Sequence, residues 1–223
     1  HYIIGKEKRV IKPWNKKLGR PIYKSKIQYL RKLYYSKDFI KESYHGGRNE
    51  QFHFGPHKKD VWYDYDLTSC YPSCMSLIGI PEWEKIHYVD DKWFNDPDWN
   101  HKPVDLTFLE VEFEFPRSVR FPCLPVRTNH GIIFPRKGIS LTHISEILVA
   151  KRLGCDIKVL DGRHIPQNRD GFNKDGHRNR VFQEFNIQCV QKREKAKKDG
   201  DIQLNYFWKE INNSTYGKLA QGL

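Results

Sequence analysis

Hydrophobic and polar residues alternate along several short stretches of the chain, as they do in β-strands with one face in water. The clearest case is residues 106–115, where Glu110, Glu112 and Glu114 alternate with apolar side chains. We interpret these glutamates as the solvated face of a strand rather than as metal ligands. Similar patterns predict three further β elements: strands over residues 61–66 and 156–160, the latter closed by Asp161-Gly162, and a hairpin within residues 121–135.

Other stretches repeat their apolar residues every three to four positions, which predicts helices. Residues 182–198 and 203–216 also predict helices, and the turn Asp199-Gly200-Asp201 between them makes the pair an antiparallel helical hairpin. Weaker patterns predict three further helices: over residues 26–39, over residues 73–80, and from Thr142 to Gly154. The polar residues 82–103 and 163–180 predict irregular segments or loops.

The charge of the chain points to a polyanionic partner. The chain has 223 residues, enough for one large domain or two small ones with a hydrophobic core. Aromatic residues make up 14% of it, which argues against disorder although 30% of the residues are charged. The formal net charge is +12, and nucleic acid is the commonest partner of such a basic chain. A basic soluble protein without such a partner is the alternative.

The cysteines and the termini add weaker expectations. Five cysteines are scattered without a CxxC pair, so a disulfide framework is not expected and a reducing compartment fits the composition. No apolar run approaches the ~18 residues that a membrane-spanning helix needs. Residues 1–6 lack the form of a signal peptide, and the absence of an initiator Met suggests a piece of a longer protein.

A first candidate for chemistry is the segment Asp66-Leu67-Thr68-Ser69-Cys70-Tyr71-Pro72. It places a carboxylate at the end of a predicted strand, on the same strand face as Asp64. The turn that follows can present backbone amides to phosphate oxygens. Because Mg²⁺ prefers oxygen ligands and usually takes one or two carboxylates from a protein, Asp66 is a candidate metal ligand in a triphosphate pocket.

A second candidate lies on the last predicted helix. Lys209, Asn213 and Tyr216 are spaced i, i+4 and i+7, so a cation suited to phosphate and a ring suited to a base share one face. Arg193 and Lys197 form a second cationic face on the preceding helix. A basic hairpin that faces solvent is an alternative of about equal weight, since charged helix faces are usually solvated.

Three motifs, in this order, resemble those of family B DNA polymerases: Tyr44-x-Gly46-Gly47, Asp66-x-x-Ser69-x-Tyr71-Pro72 and Lys209-x-x-x-Asn213-Ser214-x-Tyr216-Gly217. The third motif is the most specific, and the second differs from its commonest form only at Cys70, where Leu is usual. The resemblance covers about residues 44–223. The short first motif and the predicted strand at residues 157–162 look most similar to the protein-primed branch found in phages, viruses and plasmids.

The resemblance implies a role for each candidate residue. Asp66, with the carbonyl of Leu67 beside it, would bind a catalytic Mg²⁺ ion. The triphosphate would contact the backbone amides of Ser69, Cys70 and Tyr71 and the side chains of Arg193, Lys197 and Lys209. Lys209 could also protonate the leaving pyrophosphate. The remaining implied roles are exclusion of a 2′-hydroxyl by Tyr71, contacts with the nucleotide or nascent base pair by Asn213 and Tyr216, and contacts with template DNA by Tyr44, Gly46, Gly47 and Arg48.

One departure from the family pattern concerns the second metal site. The family uses two Mg²⁺ ions and a second catalytic aspartate in a Tyr-x-Asp-Thr-Asp type motif after the third motif, and the sequence ends at Leu223 without it. Tyr63-Asp64-Tyr65-Asp66 resembles that motif superficially, but its neighbours assign it to the Asp66 motif. The second site therefore needs residues outside this sequence. A fragment of a longer polymerase, a split enzyme and an inactive derivative stay open as interpretations.

From the motifs and the resemblance we expect an α+β fold, with an antiparallel palm sheet, flanking helices and an α-helical fingers hairpin. The expected segments are a basic N-terminal segment (1–43), the start of the palm (44–105), the rest of the palm with an inserted subdomain (106–180) and the fingers hairpin (181–223). The expected function is template-directed addition of deoxynucleotides to a 3′-hydroxyl. A non-catalytic nucleic-acid-binding or replication-assembly module is the alternative, and a ribonucleotide polymerase or primase is a third possibility.

The same resemblance predicts the ligands and the setting of the protein. The substrate would be a deoxynucleoside triphosphate, the cofactor Mg²⁺, and the partners template-primer DNA and a terminal (priming) protein. No membrane is expected. The protein would act in the cytoplasm of a host cell or in a virion.

Overall fold

Long-range packing divides the chain into two compact units, each built from two separate stretches. The computed structural model describes residues 6–11, 14–15, 17, 20–21, 24–56, 58–67, 69–172, 176 and 179–221. Unit 1 comprises His1–Tyr44 and Gly79–Asn179, and unit 2 comprises His45–Ile78 and Arg180–Leu223. The predictions on a signal peptide (residues 1–5), on the basic N-terminal segment (1–43) and on the fingers hairpin (181–223) fall in part outside the described residues, as does the one on the loop that includes residues 173–175 and 177–178.

Unit 1 is mixed β and α, and all strand pairs described in it are antiparallel. Its strands are β1 (Lys6–Ile11), β2 (Trp14–Asn15), β3 (Arg20–Pro21), β4 (Lys24–Tyr29), β5 (Ile80–Pro81), β6 (His87–Tyr88), β7 (Leu106–Glu114), β8 (Val126–Thr128), β9 (Gly131–Ile133), β10 (Lys137–His143), β11 (Asp156–Ile165) and β12 (Gln167–Asn168). Its helices are α1 (Arg31–Glu42), α3 (Asp91–Phe94) and α4 (Ile144–Arg152), with a 3₁₀ turn at Trp83–Lys85.

The core of unit 1 lies against one face of a four-stranded sheet in the order β10-β7-β11-β6. Successive side chains of a strand point to opposite faces. On β7, Leu109, Val111 and Phe113 are therefore buried while Glu112 and Glu114 are exposed. Helix α4 covers the apolar face with three fully buried side chains: Ile144, Ile147 and Ala150. The strand predicted over residues 106–115 and the solvated position of its last two glutamates are confirmed.

Strand β11 continues past the point where the sequence pattern predicts its end. It was expected to close at Asp161-Gly162, but it pairs with β7 as far as Ile165, with a shift of register between Val159 and Asp161. Gly162 permits this because a Cβ atom there would lie 2.4 Å from Leu109 Cδ2 and 2.6 Å from Val89 Cγ2. Here the glycine marks close packing inside a strand and not a turn.

The first helix is shorter than its apolar pattern predicts. Helix α1 begins at Arg31 and not at residue 26, because residues 24–29 form β4 and pair with β1. Leu33 is buried as expected, whereas Tyr34 is exposed. The polar segment 163–180 is also more regular than predicted, since its first residues belong to β11 and two more form β12.

The described residues of unit 2 form three helices: α2 (Cys70–Met75), α5 (Gln183–Lys198) and α6 (Ile202–Gln221). Helices α5 and α6 form the predicted hairpin. Gly200 adopts a φ of 74° in the connecting turn, and Asp201 Oδ1 accepts a hydrogen bond from the Leu204 amide at the start of α6 (2.9 Å). The carboxylate thus satisfies a helix amide that has no partner within the helix.

Two predictions near α2 are wrong. Helix α2 begins at Cys70 instead of residue 73, which Pro72 allows because the first turn of a helix needs no amide donor from it. Residues 61–66 have no regular structure, whereas their pattern predicts a strand. A strand is stabilised by hydrogen bonds to a neighbouring strand, and within the described part of the chain nothing pairs with this segment.

Two further structural facts bear on the class of protein. All five cysteines are free thiols. Among the described residues, no helix is both long enough and apolar enough to cross a bilayer.

Candidate active site

Residues from all three motifs meet in unit 2. The rings of Tyr71 and Tyr216 stack, with centroids 4.7 Å apart and an interplanar angle of 26°. The Tyr71 hydroxyl lies 3.4 Å from the position that a Cβ atom would take on Gly47. A methyl group at position 47 would therefore be in van der Waals contact with this hydroxyl. The structure brings together Gly47, Tyr71 and Tyr216, which the sequence places in three separate motifs.

The turn before Tyr71 has an unusual backbone conformation. Ser69 has φ 53° and ψ 39°, and it is the one described non-glycine residue with a positive φ. This left-handed conformation costs a non-glycine residue about 1–3 kcal/mol and is found where the surrounding structure enforces it. Helix α2 starts at the next residue, and the Ser69 carbonyl accepts a hydrogen bond from the Ser73 amide (2.9 Å). The turn therefore determines the direction in which the Tyr71 side chain projects from the start of α2.

A set of polar side chains that the sequence does not reveal connects the three helices. Asn212 Nδ2 donates to Asn186 Oδ1 (2.8 Å), and Asn186 Nδ2 donates to Ser76 Oγ (3.0 Å). The Ser76 hydroxyl donates in turn to the carbonyl of Pro72 (2.9 Å). The side chains around this chain of hydrogen bonds are mostly apolar and include Met75, Phe182 and Phe185. A pair of adjacent asparagines, Asn212-Asn213, is the only hint in the sequence.

The candidate cations differ in how firmly they are held. Arg193 is half-buried, and its Nε donates to Asn205 Oδ1 on the facing helix (3.1 Å). Lys197 and Lys209 are exposed, as is Asn213. Helix α6 spans Lys209, Asn213 and Tyr216 without a break, so their spacing does place them on one face. Binding of a triphosphate by Arg193, Lys197 and Lys209 is still a prediction.

The candidate metal ligands lie on the irregular segment before α2. Asp66 and Leu67 are both exposed, and in the described part of the chain the Asp66 carboxylate has no hydrogen bond or ion pair. A carboxylate and a backbone carbonyl are the oxygen donors that Mg²⁺ prefers, so their chemistry fits the ion. However, no group of three or more His, Cys, Asp or Glu residues able to hold a metal occurs among the described residues. Metal binding by Asp66 and Leu67 is therefore still a prediction.

The candidate DNA-contacting residues fall on both sides of a unit boundary. Tyr44 ends the first stretch of unit 1, where its carbonyl accepts a hydrogen bond from Arg127 Nη2 (2.9 Å). Gly46 belongs to unit 2 and has open space where a side chain would lie. Arg48 pairs with Glu50, and its guanidinium lies 5.5 Å from the centroid of the Phe52 ring. A phosphate would have to compete with Glu50 for this arginine.

Two cysteines of unit 2, Cys74 and Cys189, are poor candidates for reactive groups. Burial, and then the neighbouring thiol of Cys70, raise the pKa of Cys74 above its usual value. Burial also raises the pKa of Cys189 on α5. Because the thiolate is the nucleophile and the metal ligand, a raised pKa keeps both groups in the unreactive form at neutral pH.

Comparison with known proteins identifies the family. The chain matches the family model of DNA polymerase type B, organellar and viral, over residues 12–223. It is 38% identical over 181 residues to the primer-independent DNA polymerase PolB of Escherichia coli, a match that covers 81% of this chain and 20% of that protein. It is 33% identical over 179 residues to a DNA-directed DNA polymerase of Enterobacteria phage PRD1, covering 80% of this chain and 28% of that protein.

No solved structure matches the chain. The chain spans less than a third of the length of these two curated relatives. The family match nevertheless extends over nearly all of the chain, including the three motifs whose residues meet at Tyr71. The chain therefore belongs to the organellar and viral type B DNA polymerases.

Proposed function

We propose that this chain is part of a template-directed DNA polymerase that adds deoxynucleotides to a 3′-hydroxyl by phosphoryl transfer. The observation that carries the proposal is that Tyr71 stacks on Tyr216 and has its hydroxyl close to Gly47, all within unit 2. Three motifs of one polymerase family contribute one residue each to this cluster. The alternative of a basic hairpin that only faces solvent does not explain why these three positions lie together.

The aromatic pair would select the sugar and hold the base pair. Tyr71 is 52% exposed although it stacks on Tyr216, so an incoming nucleotide can reach one side of its ring. Because its ring stacks on Tyr216, the Tyr71 side chain would have to break this stack to turn away from a bulkier sugar. It would therefore exclude a 2′-hydroxyl, and Tyr216 would contact the nascent base pair.

The triphosphate would lie between the turn at Ser69 and the helical hairpin. The amides of Ser69, Cys70 and Tyr71 can donate hydrogen bonds to its oxygens, because successive amides in a left-handed and then right-handed conformation form an anion-binding nest. Lys209 supplies an exposed ammonium group on the Tyr216 face of α6. Lys197 and the guanidinium nitrogens of Arg193 that do not bind Asn205 would add positive charge.

Asp66 and the Leu67 carbonyl would hold a Mg²⁺ ion. When bound, such ions neutralise charge on the transferred phosphoryl group and orient its oxygens. The exposed carboxylate of Asp66 has no competing cation among the described residues, so it is available as a ligand. A second metal position would draw on residues outside this sequence. Lys209 would donate a proton or a hydrogen bond to the leaving pyrophosphate.

Template-primer DNA is the proposed macromolecular partner. The net charge of +12 favours binding to a polyanion, and Tyr44, Gly46, Gly47 and Arg48 are the proposed template contacts. A terminal (priming) protein, and action in a host cytoplasm or a virion, stay predictions from the resemblance to the protein-primed branch.

The role of Tyr71 can be tested by the substitution Tyr71→Val in the protein at its full natural length. We expect kcat/KM for ribonucleotides to rise relative to that for deoxynucleotides, because the ring that excludes the 2′-hydroxyl is removed. A single hydroxyl in an otherwise suitable pocket is discriminated by about 10²-fold, so the change should be of about this size. Single-nucleotide primer extension with each substrate measures it.

A matched control is Tyr206→Val, which removes an exposed tyrosine of α6 and should leave the ratio unchanged. A wild-type enzyme that uses both kinds of nucleotide equally well would refute the proposed role of Tyr71.

A further inference from the structure

The hydrogen bonds of Asn186 connect the three described helices of unit 2 in one path, which runs from α6 through α5 to the end of α2. Asn212 lies on α6, Asn186 on α5 and Ser76 directly after α2. The two bonds that Asn186 makes are 2.8 Å and 3.0 Å long, within the normal range for side-chain amides. Asn186 uses one end of its amide as acceptor and the other as donor, so it bridges its two neighbours.

The two ends of this path, Asn212 and Ser76, are buried, and its middle residue, Asn186, is partly buried. Asn212 is 4% exposed and Ser76 is 8% exposed. A buried amide or hydroxyl destabilises the fold unless it is hydrogen-bonded, and an apolar side chain of similar shape is often as good for stability. Apolar packing is also non-directional and tolerates small shifts of one helix along another. Hydrogen bonds of fixed geometry remove that freedom.

Both ends of the path lie beside the stacked tyrosines. Its last acceptor is the carbonyl of Pro72, the residue that follows Tyr71. Its first donor is Asn212, one helical turn before Tyr216 on α6. A shift of α2 relative to α6 would therefore change the Tyr71–Tyr216 stack and break this path at the same time.

We propose that Ser76, Asn186 and Asn212 are positioning residues that fix the Tyr71–Tyr216 stack and so set the discrimination between deoxynucleotides and ribonucleotides. This inference rests on the proposed sugar-selecting role of Tyr71. None of the three residues is among the positions that the sequence motifs single out as nucleotide ligands. They act on the substrate through Tyr71 and without touching it.

The test compares Asn186→Leu with Tyr71→Val, alone and combined, in the protein at its full natural length. Asn186→Leu removes both hydrogen bonds of Asn186. We expect it to lower the deoxynucleotide-to-ribonucleotide ratio of kcat/KM by about tenfold, within the coupling measured for residues of one hydrogen-bond network. The loss should appear mainly as a lower KM for ribonucleotides, with kcat for deoxynucleotides changed much less. In the Tyr71→Val background, Asn186→Leu should change the ratio by less than about twofold, because the residue it positions is gone.

Two further variants distinguish the proposed positioning role from a general loss of stability. Gln191→Leu exchanges an exposed amide of the same helix and should leave the ratio unchanged. Asn186→Asp keeps the shape and the acceptor of Asn186 but loses the donor to Ser76, so it should lower the ratio by less than Asn186→Leu does. It also provides the measurement if Asn186→Leu does not fold.

The outcomes separate this inference from the function on which it rests. If Tyr71→Val changes the ratio but neither Asn186 variant does, whatever their thermal midpoints, the positioning role is wrong and the role of Tyr71 stands. If the effects of Asn186→Leu and Tyr71→Val simply add, Asn186 does not act through Tyr71 and the inference is again overturned. If Tyr71→Val leaves the ratio unchanged, the sugar-selecting role fails and the positioning role fails with it.

Discussion

Tyr71 is the residue at which the local conformation and the packing of unit 2 come together. The left-handed Ser69 sets the path of the chain before it, and Pro72 stiffens the chain after it. Gly47 leaves room for its hydroxyl, and Tyr216 covers one side of its ring. The stack on Tyr216 holds the ring in place, which suits the proposed rejection of a bulkier sugar by shape.

The role of Asp66 can be tested against that of a neighbouring carboxylate. In the full-length protein, Asp66→Ala should abolish nucleotide incorporation, since a ligand of the catalytic metal is lost. Binding to template-primer DNA should stay nearly intact, because the substitution removes a negative charge and no positive one. Asp64→Ala, which removes an equally exposed carboxylate two positions earlier, should retain activity. Incorporation that survives Asp66→Ala would favour the alternative of a nucleic-acid-binding module without catalysis at this residue.

Lys209 is expected to act on the triphosphate and not on DNA. Lys209→Ala should lower the incorporation rate by a factor of roughly 10²–10⁴, the usual loss when an acid–base or charge-stabilising group is removed. Lys198→Ala, which removes an exposed lysine at the end of α5, should have little effect on the rate. The measurement is single-turnover incorporation together with DNA affinity. An effect of Lys209→Ala on DNA affinity alone would contradict the triphosphate role.

Some residues of this site can be predicted from the sequence and others cannot. Tyr71 and Tyr216 stand in spaced motifs, and the structure does bring them into contact. Asn186 gives no such signal, because its importance comes from two bonds to residues on other helices. A polar residue on a helix usually indicates a solvent-facing position, so its partial burial is visible only once the helices have packed.

At the scale of elements, sequence patterns predict helices and turns better than strands, because helices and turns form between residues that are close in the chain. The predicted α5–α6 hairpin is confirmed, because helices and the Asp199-Gly200-Asp201 turn form through interactions between residues that are close in sequence. Strands depend on partners that are distant in sequence. The segment over residues 61–66 has a strand pattern but no described partner, and β4 replaces the first part of a predicted helix because β1 pairs with it.

The close packing of β11 against β7 gives a prediction for stability. Gly162→Ala should lower the free energy of unfolding by about 1–3 kcal/mol, the usual cost of overpacking, because the added methyl would overlap Leu109 and Val89. Gly46→Ala is the matched stability control, since a Cβ atom there meets nothing within 4 Å. Chemical denaturation measures both. Equal stability of the two variants would show that β11 does not approach β7 as closely as described.

At the scale of the whole molecule, each unit is assembled from stretches far apart in the chain. Helix α2 packs with α5 and α6 although more than a hundred residues separate them, as the bond between Ser76 and Asn186 shows. Composition and periodicity carry no information on such pairings, which arise from long-range packing. The subdomain boundaries expected from the family resemblance therefore stay predictions.

The charge of the whole molecule predicts how DNA binding depends on salt. A chain with a net charge of +12 that binds DNA through phosphates releases counterions, so log Kd should rise linearly with log salt concentration. For about 6–10 phosphate contacts, the affinity should fall by about 10³–10⁵ between 50 and 200 mM salt. Arg48→Ala should reduce the slope of log Kd against log salt concentration by about one, because Arg48 would leave Glu50 and bind a phosphate. Arg117 is exposed and lies outside the proposed interface, so Arg117→Ala should leave this slope unchanged. Fluorescence anisotropy with labelled template-primer DNA measures the slopes, and an affinity that does not depend on salt would exclude binding through phosphates.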